Sequence, residues 1–232
     1  MTARDEGTLR VRIRRSEPGS LSEFEVERFA PMTVLDALMA VYRDHDPTLG
    51  FRFSCRVAMC GTCTVRVDGR AALACQAPIR DDADEVTIEP AAGFPVVRDL
   101  VVDTAAFWEE WVRVTPWLVP REDLEEPAVV PPDSAERGAI DPALDCIQCG
   151  ACFSGCGVAG AGRTFLGPAA LTRATVLLHD SRDDATEQRL EVVTGPDGVD
   201  RCHFVYACSE VCPKGLDPAA AIRSVRTGRA PR

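Results

Sequence analysis

Eleven cysteines, unevenly spaced, constrain this 232-residue chain more than any other feature. Four lie at Cys55, Cys60, Cys63 and Cys75. Seventy residues without a cysteine follow, and then come Cys146, Cys149, Cys152, Cys156, Cys202, Cys208 and Cys212. A disulfide framework fits poorly. The count is odd, the chain is not small, and the N-terminus MTARDEGTLR has no apolar segment of a secretory signal. Two-residue spacings such as Cys60-x-x-Cys63 suit thiolates that grip metal in a reducing compartment.

Composition narrows the class. The formal net charge is −10, a poor basis for binding nucleic acid, where a basic footprint supplies most of the affinity. Apolar residues make up 46%, which is ordinary for a globular chain. No run approaches the ~20 apolar residues of a membrane-spanning helix.

Periodicity divides the chain. Residues 8–15 and 23–29 alternate as strands, with a turn at Pro18-Gly19 between them. Thr33-x-x-Asp36 is a capping box opening a helix with Leu35, Leu38, Met39 and Tyr42 on one face. Residues 47–63 form a loop. Asp68-Gly69 turns a hairpin whose return strand is 71–75, and Val86 and Ile88 mark another strand. Residues 99–114 read as a helix with Phe107, Trp108 and Trp111 as packing or interface residues rather than a cofactor box. The prolines at 120, 127, 131 and 132 mark a linker or excursion, and from 141 the pattern is helical. Pro168 opens one helix through Leu178, and Asp217-Pro218 opens another through Val225. The expected fold class is α+β: residues 1–115 form an α+β domain, 116–140 a linker, and 141–232 an all-α domain.

Cys55-x4-Cys60-x2-Cys63-x11-Cys75 matches the plant-type spacing of a [2Fe–2S] site, C-x4-C-x2-C with a distant fourth ligand. A four-cysteine zinc site is the alternative, but zinc usually takes two short-spaced pairs. Cys146, Cys149, Cys152 and Cys156 match the bacterial run C-x2-C-x2-C-x3-C, with Gly157 where that run has proline. Cys202, Cys208 and Cys212-Pro213 repeat the template with Val205 at the second position. In two-cluster ferredoxins the fourth cysteine of each run serves the other cluster. That exchange makes Cys146, Cys149, Cys152 and Cys212 a [4Fe–4S] set. Cys156, Cys202 and Cys208 are left as three thiolates, a [3Fe–4S] set, because valine has no ligand atom. The remaining alternatives are a [4Fe–4S] cluster whose fourth iron takes water or another non-cysteine ligand, and a zinc-binding helical domain.

The segments MTVLDAL, DPTLGFRFSCRVAMCGTCTVRVDGRAALAC, FPVVRDLVVD, CIQCGACFSGC, FLGPAAL, DSRD and RCHFVYACSEVCPKGLDP resemble the iron–sulfur subunit of succinate dehydrogenase or fumarate reductase, the respiratory complex II family. The resemblance covers nearly the whole chain. It implies an N-terminal plant-ferredoxin-like β-grasp domain and a C-terminal helical bacterial-ferredoxin-like domain. It also implies electron relay between the FAD of a flavoprotein subunit and menaquinone or ubiquinone at a cytochrome b type membrane anchor. The expected location is the cytoplasmic face of a bacterial inner membrane, and no catalytic acid or base is expected on this chain. A related fumarate reductase subunit with a non-quinone donor, or a free ferredoxin-like carrier, are the alternative readings. The resemblance places His203 and Arg226 near the quinone. Many relatives have a tryptophan a few residues beyond the cysteine matching Cys156; the segment 157–162 here has none, as in the menaquinone-using branch. The chain's single lysine, Lys214, follows Cys212-Pro213, whereas arginine serves everywhere else.

Overall fold

The computed structural model describes residues 7–16, 20–123, 128–161 and 164–228. The turn expected at Pro18-Gly19, Pro127 of the linker, and Gly162 lie outside them. Two compact units divide between Asp103 and Thr104.

The first unit is a five-stranded sheet in the order β2-β1-β5-β3-β4. Strand β1 (Thr8–Arg14) buries Leu9, Val11 and Ile13 completely, the outcome its alternation predicts. It pairs antiparallel with β2 (Leu21–Glu27) and parallel with β5 (Glu85–Pro90). A parallel neighbour requires a crossover, and α1 (Val34–Asp44) lies within it. The capping box is present: Thr33 Oγ1 accepts from the Asp36 N–H, and Asp36 Oδ2 accepts from the Thr33 N–H. Leu35 and Leu38 are buried as expected, whereas Tyr42 is 43% exposed.

Strand β3 (Thr64–Val67) turns through Asp68 and Gly69, with φ of 47° and 82°, into β4 (Arg70–Leu73). Two left-handed residues match the twist of a two-residue hairpin. The return strand therefore stops two residues short of Cys75, which lies beyond its end rather than on it.

The helix expected over 99–114 is shorter. Asp99 takes a left-handed φ of 49°, and the chain reverses so that β7 (Val101–Val102) pairs with β6 (Val96–Arg98). Helix α2 (Ala105–Arg113) starts only after this turn. Asp99 is the hub of the turn. Its carboxylate accepts from Arg15 Nε, from the Ser16 N–H and hydroxyl, and from the Gly50 N–H at 2.9 Å. Leu100 N–H donates to the Gly50 carbonyl at 3.0 Å. These bonds fix the chain five residues before Cys55.

The second unit is helical. Helix α2 buries Phe107 and Trp111 but leaves Trp108 43% exposed. Helix α3 (Ala135–Leu144) opens on the Ser134 cap, inside the stretch expected as linker. Helices α4 (Ala151–Ser154), α5 (Gly167–Leu178), α6 (Thr186–Val193), α7 (Ala207–Glu210) and α8 (Pro218–Thr227) follow. Helix α5 is central and packs against α2, α3, α4, α6 and α8. Pro168 lies in its first turn and Pro218 in that of α8, as their sequence positions predict. Helix α6 has no strong apolar periodicity, so it falls within the region read as helical but without bounds of its own. Residues 119–121 lie along this unit: Arg121 N–H donates to the Arg182 carbonyl and Asp184 N–H to the Val119 carbonyl.

Candidate metal centres

All eleven cysteines are free thiols. Local backbone geometry gathers four of them in the first unit. Residues 55–63 wind through left-handed φ at Arg56 (61°), Ala58 (54°) and Gly61 (70°). This winding turns successive N–H groups inward: those of Val57, Met59 and Cys60 donate to Cys55 Sγ at 3.5, 3.3 and 3.3 Å. Cys63 immediately precedes β3, and Thr64 pairs with Leu73 of β4. The hairpin therefore returns Cys75 to Cys63, and Ala74 N–H donates to the Cys63 carbonyl at 3.0 Å. The separation of eleven residues is thus spanned by one tight hairpin.

The Thr62 hydroxyl lies 3.1 Å from Cys60 Sγ. That hydrogen bond, reinforced by backbone N–H donors, draws the Cys60 thiol down to about 6. Burial pushes Cys63 the other way, to about 12, with the charges of Cys75 and Cys60 adding to the rise. Thr62 carried no sequence signal of its own; its role follows from lying two residues after a ligand candidate on a wound loop.

In the second unit Cys146, Cys149, Cys152 and Cys212 line one pocket with Gly150, Thr172 and Lys214. Gln148 and Gly150, at φ of 49° and 76°, turn the chain into α4, which carries Cys152. Cys212 comes from beyond α7. Burial is the main cause that raises the thiols of Cys146, Cys149 (to about 11) and Cys152. The neighbouring thiolates, Cys212 among them, raise all three further.

Cys156, Cys202 and Cys208 line a separate cavity of about 380 Å³, together with His203, Val205 and Tyr206. Cys208 lies on α7 and is lifted to about 11, chiefly by burial, with Cys156 and Cys202 charges contributing. Phe204 N–H donates to Cys202 Sγ at 3.4 Å. Val205 is 78% exposed. Arg226 donates to the Cys202 carbonyl at 3.5 Å and pairs with Asp200 at 3.1 Å. The structure therefore places Cys212 in the pocket of Cys146, Cys149 and Cys152, and Cys156 in the pocket of Cys202 and Cys208.

Among the described residues no three His, Cys, Asp or Glu side chains are grouped for a single metal ion. The donor chemistry fits iron–sulfur clusters. Burial and the charges of neighbouring thiolates make these thiols resist ionisation, and iron held by them would supply the positive charge that favours the thiolate form. The inward N–H groups at Cys55 and Cys202 and the Thr62 hydroxyl are donors of the kind that tune cluster sulfurs.

Among the described residues no helix is long and apolar enough to cross a membrane. Residues 9–109 match the family described as "2Fe-2S iron-sulfur cluster binding domain", and residues 142–216 match "4Fe-4S dicluster domain". The fumarate reductase iron-sulfur subunit of Escherichia coli O6:H1 is 38% identical over 200 residues, covering 86% of this chain and 82% of that protein. The succinate dehydrogenase iron-sulfur subunit of Paracoccus denitrificans is 38% identical over 206 residues, covering 87% and 78%. Among solved structures, a chain of the Mycobacterium smegmatis Sdh1 complex in the apo form superposes with a TM-score of 0.84 at 26% identity. That match covers 96% of this chain and 95% of the other.

Proposed function

We propose, from the premise that this chain belongs to the family of succinate dehydrogenase and fumarate reductase iron–sulfur subunits, that it relays electrons between the FAD of a flavoprotein subunit and a quinone. In this reading it sits peripherally on the cytoplasmic face of a bacterial inner membrane, held by membrane-anchor subunits. Dicarboxylate chemistry belongs to the flavoprotein, and no residue here acts as a catalytic acid or base.

Cys55, Cys60, Cys63 and Cys75 would hold a [2Fe–2S] cluster. Cys146, Cys149, Cys152 and Cys212 would hold [4Fe–4S], and Cys156, Cys202 and Cys208 would hold [3Fe–4S]. When bound, the clusters supply one-electron carriers of differing potential. The observation that carries this reading is the sorting of eleven thiols into groups of four, four and three with none left over. It is supported by exposed Val205 at the template position where a fourth thiol is missing.

The chain's own residues do three things in this scheme. The wound loop of 55–63 presents N–H donors to Cys55. Packing around α7 buries Cys208 and that around α4 part-buries Cys152, which shields sulfur that would otherwise oxidise. His203 and Arg226, beside the third cavity, are the residues proposed to face the quinone.

The test is anaerobic purification with EPR of oxidised and reduced forms and a count of iron and sulfide. About nine iron and ten sulfide per chain, with an oxidised three-iron signal, is the expected result. Iron near ten without that signal would mean that a non-cysteine ligand completes the third site. A colourless preparation holding zinc would overturn the reading.

A further inference from the structure

The chain between Cys202 and Cys208 is gripped by α8. Phe204 and Tyr206 both take left-handed φ, 53° and 66°, a conformation that aromatic residues rarely adopt and that glycine would accept freely. Between them stands exposed Val205. The two rings share a partner. The Arg223 guanidinium lies 5.6 Å from the Phe204 ring centroid and 5.4 Å from that of Tyr206. Arg226, one helical turn on, lies 5.5 Å from Phe204. Both distances to Arg223 are within the reach of cation–π attraction. Arg226 pairs with Asp200 at 3.1 Å, and its charge also reaches the Cys202 thiol, whose burial-driven rise it opposes. Arg223 has no carboxylate ion pair among the described residues, so no acid neutralises its positive charge beside the rings.

We propose that Arg223 is a positioning residue for the cluster at Cys156, Cys202 and Cys208: it bridges the Phe204 and Tyr206 rings, holds their left-handed loop in place, and adds an unneutralised positive charge that raises the cluster's reduction potential. The proposal rests on the reading above, in which this pocket holds a cluster. Reduction adds negative charge, and a nearby cation favours the more negative form. Arg223 is exposed, so solvent screens its charge and the shift is modest.

The experiment is an EPR-monitored potentiometric titration of the clusters in the assembled complex, with Arg223→Gln and Arg223→Lys beside the wild type. Arg223→Gln should lower the reduced-to-oxidised ratio of this one cluster about threefold at fixed potential, or about 28 mV for one electron. The [2Fe–2S] midpoint should stay in place. Arg223→Lys keeps a cation over the rings and should restore the wild-type midpoint. An unchanged midpoint in Arg223→Gln, or an equal shift in all clusters, would overturn the proposal. If the glutamine variant fails to assemble this cluster, the lysine variant decides. Assembly with the wild-type midpoint upholds the bridging cation, and failure to assemble refutes it. If the wild type holds a four-iron cluster in this pocket, the three-iron reading falls, and the arginine's influence is still read from that cluster's midpoint. A wild type with no cluster there overturns both.

Discussion

Arg189 and Asp183 form an ion pair at 2.5 Å in which neither side chain has any exposure. Arg189 also donates to the carbonyls of Val114 and Thr115, each at 3.1 Å. Asp183 accepts from the N–H groups of Val119 and Ala185. One buried pair thus ties the stretch after α2 to the start of α6. Arg189→Met would strand a buried carboxylate and the carbonyls of Val114, Thr115 and Trp117, and we expect a loss of about 3–5 kcal/mol. Denaturant midpoints of the cluster-loaded chain measure it. Adding Asp183→Asn, which removes the stranded charge and keeps an oxygen acceptor, should recover part of that loss, since a buried pair is stabilising mainly relative to its broken halves.

The Thr62 hydroxyl lies 3.1 Å from Cys60 Sγ; a sulfur that held iron would carry no proton, so the hydroxyl would donate, and such bonds raise a cluster's potential by stabilising the reduced form. Thr62→Val should lower the [2Fe–2S] midpoint by roughly 40 mV, the equivalent of one hydrogen bond of about 1 kcal/mol. Thr62→Ser should keep the wild-type value. Potentiometric EPR distinguishes the two variants.

In the cluster-free chain Cys60 titrates near 6, whereas burial holds Cys63 near 12. The thiolate is the nucleophile. Alkylation by iodoacetamide at pH 7 should therefore label Cys60 first and Cys63 last. The Cys60 rate should climb through pH 6 and level off above it. Thr62→Val should move that climb toward the ordinary cysteine value of about 8.5. Peptide mapping after timed quenching reads both.

Cys212 and Cys208 are four residues apart, yet they face different pockets. Cys208→Ala should abolish the three-iron EPR signal and leave the [2Fe–2S] signal intact. Cys212→Ala should instead remove or degrade the [4Fe–4S] signal. Loss of the same signal in both variants would contradict the exchange of fourth cysteines.

Burial raises the Asp99 carboxyl, but hydrogen bonds from Gly50 and Ser16 and the Arg15 charge outweigh it and leave a net lowering. Its stabilisation is therefore complete above the unfolded carboxyl value of about 3.9 and lost as pH falls through the lower folded value. Asp99→Asn should cost about 1.5–3 kcal/mol at pH 7. The gap from wild type should close as the solution is acidified below pH 4. Thermal melts from pH 7 to 3 follow it.

Much of the candidate site was legible because cysteine spacing is a local quantity. Cys60-x-x-Cys63 and the repeated run from Cys146 name their chemistry without reference to the fold. Caps and prolines were legible for the same reason, as Thr33, Pro168 and Pro218 act within one turn of helix. The helix expected over 99–114 began late because Asp99 is held in a left-handed turn by Arg15, Ser16 and Gly50, residues up to 84 positions away. The strand expected to reach Cys75 ended at Leu73, where its register with Thr64 runs out.

The sequence by itself determined how many thiolates there are, which runs they form, and that Val205 supplies none, since these depend only on residue type and spacing. The tertiary structure alone decided that Thr62 meets Cys60, that Arg189 is buried against Asp183, and that Arg223 faces two rings of a ligand loop 17 to 19 residues before it. Hydrogen bonds and cation–π contacts act over a few ångströms in space. Spacing along the chain does not encode which distant surfaces the fold brings that close.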